Sequence, residues 1–185
     1  MYIRSLYFFP FLFFVLIASS QNKSIQKFIL PGYKLLDTLS GDLNLDGKKD
    51  LLLVLKSEME DHVPNPESGE LARPLLILIK QNDGSFKQTG RNDNVILCNT
   101  CGGVFGDPYS GLAIKNGYFS AEHYGGSNWR WTDIVTFKYD KLKQKWFLSR
   151  WGGDSFHTSD PDKKTSEVKT VKNFGVVEFE KFTRK

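Results

Sequence analysis

Turn-forming pairs recur along this chain at intervals too short for long helices. Pro31-Gly32, Asp46-Gly47, Asp83-Gly84, Asn116-Gly117, Gly125-Gly126 and Gly152-Gly153 punctuate it. Between them lie short apolar or alternating runs at 51–55, 75–79, 118–124, 134–139, 146–148 and 176–179. Strand-length runs bounded by glycine turns specify antiparallel strands joined by hairpins. Asn116-Gly117 is the clearest hairpin signal, because a two-residue turn of this kind needs φ > 0 at both central positions. The expected fold class is all-β: a single antiparallel β-domain, built as a sandwich, a meander or a partial propeller-like sheet. Residues 24–30 read either as one short helix or as an arm entering the domain. Two segments read as exposed loops: 57–73, with Pro64, Pro66 and Gly69, and 153–165, with Asp154, Asp160, Pro161 and Asp162.

The first twenty residues have a different character. Arg4 is followed by an apolar run from Leu6 to Ala18, and then by the small residues Ala18-Ser19-Ser20. A basic start, a short apolar stretch and a small-residue exit mark a secretory signal peptide. Pro10 and the shortness of the run argue against a stable spanning helix, which needs roughly 20 apolar residues. The expectation is a signal peptide over 1–20, cut before Gln21, and a β-rich domain over 21–185 that is secreted or periplasmic. No stable membrane span remains after signal removal; an uncleaved anchor is the competing reading. The formal net charge is only +4, of which Arg4 contributes one. Such mild charge implies no nucleic-acid partner, and the basic stretch 163–172 reads as a solvated surface.

The segment GDLNLDGKKD, residues 41–50, places Asp42, Asn44 and Asp46 at alternate positions, followed by Gly47 and Asp50. Calcium takes six to eight oxygens at roughly 2.3–2.6 Å, and a tight loop can aim alternate side chains at one centre. The Lys48 carbonyl is placed to add a backbone oxygen. The metal-free alternative is an Asp/Asn/Gly turn, which tolerates φ > 0. Three carboxylates crowded into this loop would then repel one another. An EF-hand is not expected, because Leu53 stands where its closing Glu would be.

Cys98-x-x-Cys101 precedes Gly102, Gly103, Gly106 and Pro108. A redox-active pair of this spacing needs a following helix to lower its thiol pKa, and these residues forbid one. In an oxidising compartment the pair reads as a structural disulfide. A zinc half-site would need ligands from His62, His123 or His157, and none stands at a compelling spacing. The third distinctive segment, HYGGSNWRWTD, gathers His123, Tyr124, Trp129, Arg130 and Trp131 beside Gly125-Gly126. Alternation along a strand sends Trp129 and Trp131 to one face and Arg130 to the other. These residues could stack a sugar ring or a peptide, although in a small β-domain such aromatics are more often core.

The loop resembles the calcium loops of FG-GAP and VCBS-type repeats, in which a DxNxDGxxD turn joins two strands. The resemblance covers about residues 33–56 and implies calcium held by Asp42, Asn44, Asp46 and Asp50 side chains and the Lys48 carbonyl. Those families repeat the unit; this chain has one copy. The order of GDLN, RPLLIL, CxxCGGxxGDP, HYGGSxWRW and WxL segments also resembles a group of uncharacterised exported bacterial proteins. That resemblance implies localisation and fold but no reaction. Three readings of function follow: a calcium-stabilised binding or interaction module for a protein or glycan; a hydrolase of cell-wall or polysaccharide material using His123 or His157 with a nearby Asp; and a structural accessory protein. The first is favoured, and no catalytic residue is assigned. A shallow aromatic groove without an acid/base pair would support it, whereas a cleft with His123 bonded to a carboxylate would support the second.

Overall fold

A computed structural model describes residues 25–61 and 71–184. The proposed signal segment and His62 lie outside the described residues. The described residues fold into nine antiparallel strands in two sheets, each following sequence order. The first sheet holds β1 (Tyr33–Gly41), β2 (Asp50–Ser57), β3 (Arg73–Lys80) and β4 (Phe86–Ile96). The second holds β5 (Tyr109–Lys115), β6 (Tyr118–Gly126), β7 (Trp129–Asp140), β8 (Lys145–His157) and β9 (Asp160–Thr170). A four-residue helix, α1 (Val171–Phe174), follows β9. The architecture is thus all-β, two meanders packed face to face.

The shared core explains the apolar patterning. Leu52, Val54, Leu75 and Ile77 from the first sheet meet Phe119, Val135, Phe137 and Leu148 from the second. The C-terminal segment adds Phe179 and Phe182, which pack edge-on against Phe137 with ring centroids at 5.1 and 5.6 Å. On β2 and β3 the apolar run is continuous instead of alternating, and a second cluster shows why. Leu51, Leu53, Leu55, Leu76 and Leu78 point away from the shared core and are covered by Ile25, Phe28, Ile29 and Leu30. Residues 25–30 therefore serve as an apolar lid, with only a 3-10 turn at Gln26–Phe28. A strand buried on both faces has no polar face to show in its sequence.

Asn116-Gly117 does turn the β5–β6 hairpin, with φ of 53° and 73°. Several other expectations need correction. Gly125-Gly126 and Gly152-Gly153 lie within β6 and β8, not in turns. The segment 153–165 is the end of a β8–β9 hairpin, because Ser155 pairs with Thr165 and His157 with Asp160. The 176–179 run makes one isolated bridge, Phe147 to Glu178, instead of a strand. Strand β9, which carries most of the stretch 163–172, is exposed along its whole length, as expected for a solvated surface.

The ends of segment 57–73 are buried rather than exposed. Arg73, 1% exposed, donates from Nε and Nη2 to Glu60 and from Nη1 and Nη2 to Asp107, the last two at 2.7 Å. Burial alone would lower the Arg73 pKa, but its two carboxylate partners raise it above the ordinary value. The pairing stitches the 3-10 turn after β2 to β3 and to the loop before β5. Removing one partner from a buried pair typically costs about 3–5 kcal/mol, since the other charge is left desolvated. Arg73→Ala is therefore expected to lower unfolding free energy in urea by about that amount. Asp107→Ala should cost less, because Arg73 keeps Glu60; equal small losses, under about 1 kcal/mol, would show that the charges rehydrate without penalty.

Candidate functional site

The inward face of β7 passes from core to solvent along one strand. Phe137 and Val135 are fully buried, Asp133 and Trp131 are half-buried, and Trp129 is 63% exposed. The second sheet thus extends beyond the cover of the first. At this end an open groove of about 290 Å³ is lined by Trp131, Trp151, Ser155, Thr165, Glu167 and Lys169, with Gly152 and Gly153 between them. A Cβ on Gly152 would strike the Glu167 carbonyl, and one on Gly153 the Thr132 carbonyl. Glycine is needed here so that three strands can approach closely. Trp131 lies over Gly125, where a Cβ would collide with the indole. Lys169 and Glu167 form an ion pair of 3.2 Å on the far wall.

Asp133 lines the groove as well. Its Oδ1 accepts from Trp151 Nε1 at 2.6 Å and its Oδ2 from Arg184 Nη1 at 2.6 Å. His123 Nδ1 stands 3.5 Å from Oδ2. Arg184 also donates from Nη2 to the Val95 carbonyl at 2.7 Å, which ties the C-terminal segment to the end of β4. Burial alone would raise the Asp133 carboxyl, but the His123 hydrogen bond, the Arg184 charge and the Trp151 donor outweigh it and hold the carboxyl down to about 2.

His123 is 2% exposed, and its Nε2 accepts the Leu97 backbone N–H at 3.2 Å. That bond assigns the neutral tautomer with hydrogen on Nδ1, facing Asp133. The pair thus has an orienting carboxylate but no nitrogen open to a substrate. A general base must reach the proton it removes, and this ring cannot. His157 Nδ1 contacts Ser159 Oγ at 2.6 Å, and its ring packs edge-on against Trp129 at 5.2 Å. Asp154 is engaged with Ser166 Oγ at 2.7 Å.

The other aromatic-segment residues separate. Arg130 turns to the opposite side of the sheet, its guanidinium 3.7 Å from the Phe105 ring. Tyr124 packs against the same Phe105 at 5.9 Å. Of the segment 123–131, Trp131 alone lines the groove; His123 stands behind it, Trp129 lies beyond it, and Tyr124 and Arg130 face the disulfide loop. The tryptophan with most core character is Trp146, 4% exposed. Sequence reasoning misses Trp151, Gly152, Gly153, Glu167 and Lys169 as groove residues; the available signal is a Trp-Gly-Gly run following an apolar strand, but by its local composition that run reads as a turn.

Cys98 and Cys101 form a disulfide with Cα atoms 5.1 Å apart. The glycine-rich loop that follows them docks by backbone on β6: Gly126 donates to the Gly102 carbonyl and Tyr124 to the Pro108 carbonyl, each at 2.8 Å. The loop is held from the other side by Arg73 through Asp107.

The Asp-rich loop lies between β1 and β2. Asp42 accepts the Asp46 and Gly47 N–H groups at 3.1 and 2.9 Å, and Asn44 Oδ1 also accepts from Asp46 at 3.1 Å. Asp46 accepts the Lys48 N–H at 2.9 Å, and this bond, its largest influence, helps hold its carboxyl below the ordinary value. Asp50 is fully buried and bridges Leu43 N–H and Lys80 N–H, each at 2.9 Å. Burial pushes its carboxyl up, against those two donors. The donor chemistry fits a hard cation, since the loop offers carboxylate, amide and carbonyl oxygens. It is not a preformed acidic cage: among the described residues, no group of three or more acidic, histidine or cysteine side chains is gathered to hold a metal.

No family model, curated protein or solved structure matches this chain.

A carboxyl depressed in the folded state contributes stability above its unfolded pKa and loses it as pH falls through the folded value. For Asp133, about 2 when folded, the window runs from roughly pH 4 to roughly pH 2. Asp133→Asn is expected to melt lower than wild type near pH 6 and to lose less stability on acidification below about pH 4. Melting curves across that range check it; parallel acid limbs would show that Asp133 carries no such linkage.

Proposed function

We propose that this chain is an exported, non-enzymatic binding module whose ligand site is the groove between Trp131 and Trp151. The observation that carries the reading is an open aromatic groove beside a histidine whose two nitrogens are already engaged. Apolar stacking area with a few polar groups at its rim is the usual composition of a small-ligand site. The indoles supply the area, and Ser155, Thr165, Glu167 and Lys169 supply donors and acceptors. A glycan or a short peptide fits this chemistry. A hydrolase reading is weaker, because the His123–Asp133 pair has no open nitrogen. Among the described residues no helix is long and apolar enough to cross a membrane.

Calcium belongs to the same proposal as a stabiliser of the β1–β2 loop. Asp42, Asn44, Asp46 and the Lys48 carbonyl would hold it, with Asp50 closing the set from the buried side. What supports this is the spacing of oxygen donors and the cation already attracted to the loop, Lys48 Nζ at 3.2 Å from Asp46 Oδ2. When bound, the ion would supply charge neutralisation and cross-linking, not chemistry.

Two experiments test the reading. Tryptophan emission titrated with a panel of neutral oligosaccharides and short peptides is expected to shift for one class. Trp131→Ala should abolish that shift while leaving the melting temperature within a few degrees of wild type. Unchanged binding in Trp131→Ala would remove the groove from consideration. Separately, metal-stripped protein should melt higher in calcium than in chelator. The gain is about 2.7 kcal/mol at a hundredfold excess over Kd, and Asp46→Ala should lose most of it. Identical melting in both conditions would eliminate the calcium site and leave the groove proposal standing.

A further inference from the structure

The opposite end of the second sheet carries a surface that the groove does not use. A cross-strand row on its outer face alternates lysine and aromatic residues. Lys115 pairs with Tyr118, Tyr118 with Lys138, and Lys138 with Phe147. Residues opposite one another in register share a face, so these four side chains stand side by side. The Lys138 ammonium lies 5.4 Å from the Tyr118 ring, and that of Lys143 4.8 Å from the Phe147 ring.

The row leads to the β7–β8 turn, where Leu142 projects 97% exposed between Lys141 and Lys143. Asp140 Oδ1 accepts the Leu142 and Lys143 N–H groups at 2.9 and 3.1 Å, so the tip is a built turn with Leu142 at its apex. Beside it a groove of about 370 Å³ is lined by Phe147, Val171 and Val176, the two valines 48% and 72% exposed. The acidic neighbours are largely engaged: Asp140 with the turn backbone, and Glu178 with Lys145 at 2.8 Å. The Asp-rich loop is also near, since Leu45 touches Gly117, but it carries its own Lys48 and Lys49.

We propose that this end of the sheet docks the protein onto an anionic lipid surface, with Leu142 entering the headgroup–acyl boundary. Exposed aliphatic residues at the tip would gain by leaving water, while the lysines behind them meet lipid phosphates. Tyr118 and Phe147 lie at the level where aromatic rings favour the interface. Lysines interleaved with aromatics also suit nucleic acid. A fully exposed leucine at the apex and two exposed valines beside it have no role there, and this decides for the bilayer. The inference is independent of the ligand groove.

The test uses the full chain with Leu142→Cys, labelled at the introduced thiol with a polarity-sensitive dye; the native cysteines are closed in a disulfide. A local probe is needed because the apolar run near the N-terminus could itself partition into vesicles. Vesicles of phosphatidylglycerol in phosphatidylcholine should shift the dye emission to the blue, and pure phosphatidylcholine should not. Adding Lys141→Glu and Lys143→Glu should weaken the response about tenfold or more, and raised salt should weaken it further. An unchanged dye in anionic vesicles overturns the proposal, as does an equal response to neutral ones. A response to a DNA duplex but not to vesicles would overturn it in favour of a nucleic-acid surface.

Discussion

Asp133 stands where the two sheets cease to cover each other. A carboxylate at such a position must find donors or lose its charge. It finds them on separate parts of the chain: the indole of β8, the guanidinium of the C-terminal segment and the imidazole of β6. Arg184 extends the network to the end of β4 through the Val95 carbonyl. The segment bearing Phe179 and Phe182 is thereby held against the core. Trp151, fixed through its Nε1, becomes a rigid wall for the groove. Stability at this end of the sandwich and the shape of the candidate site rest on the same hydrogen bonds.

A comparable arrangement secures the other wall of the molecule. Arg73 is buried against two carboxylates, the buried Glu60 and the partly exposed Asp107, and Asp107 belongs to the loop that contains the disulfide. Desolvating a guanidinium is costly, and only multiple charge-assisted hydrogen bonds offset that cost. The return is positional: the glycine-rich loop docks on β6 by backbone bonds and has little side-chain packing of its own. Phe105 at its tip then receives Arg130 and Tyr124. Strand alternation has already turned those two side chains away from the groove, which leaves Trp131 to represent the aromatic segment there.

The buried His123–Asp133 pair shows how composition and function can part company. The same two side chains at a cleft mouth would be an acid/base pair. Here the Leu97 N–H occupies the outer nitrogen, and the imidazole acts as a hydrogen-bonded core residue. Acid/base work by this imidazole would require that nitrogen to be free, and the β4 end is laid across it.

Much of the architecture was legible in the chain itself. Glycine turns and strand-length runs determined an all-β fold, Asn116-Gly117 determined a hairpin, and the cysteine pair with its following glycines determined a small disulfide loop. These are local properties, set by backbone φ preference and side-chain alternation within a few residues. What required tertiary structure was every feature that depends on a partner far along the chain. Leu51 and Leu76 look like any strand leucines until residues 25–30 are seen covering them. Arg73 and Glu60 read as loop charges because Asp107, 34 residues beyond Arg73, is invisible to a local window. Gly152-Gly153 read as a turn, since the need for glycine arises from neighbouring carbonyls and not from its own φ. Local sequence determines which conformations each segment prefers; desolvation and close packing between distant segments determine which groups are core, which are pinned, and which remain open to a ligand.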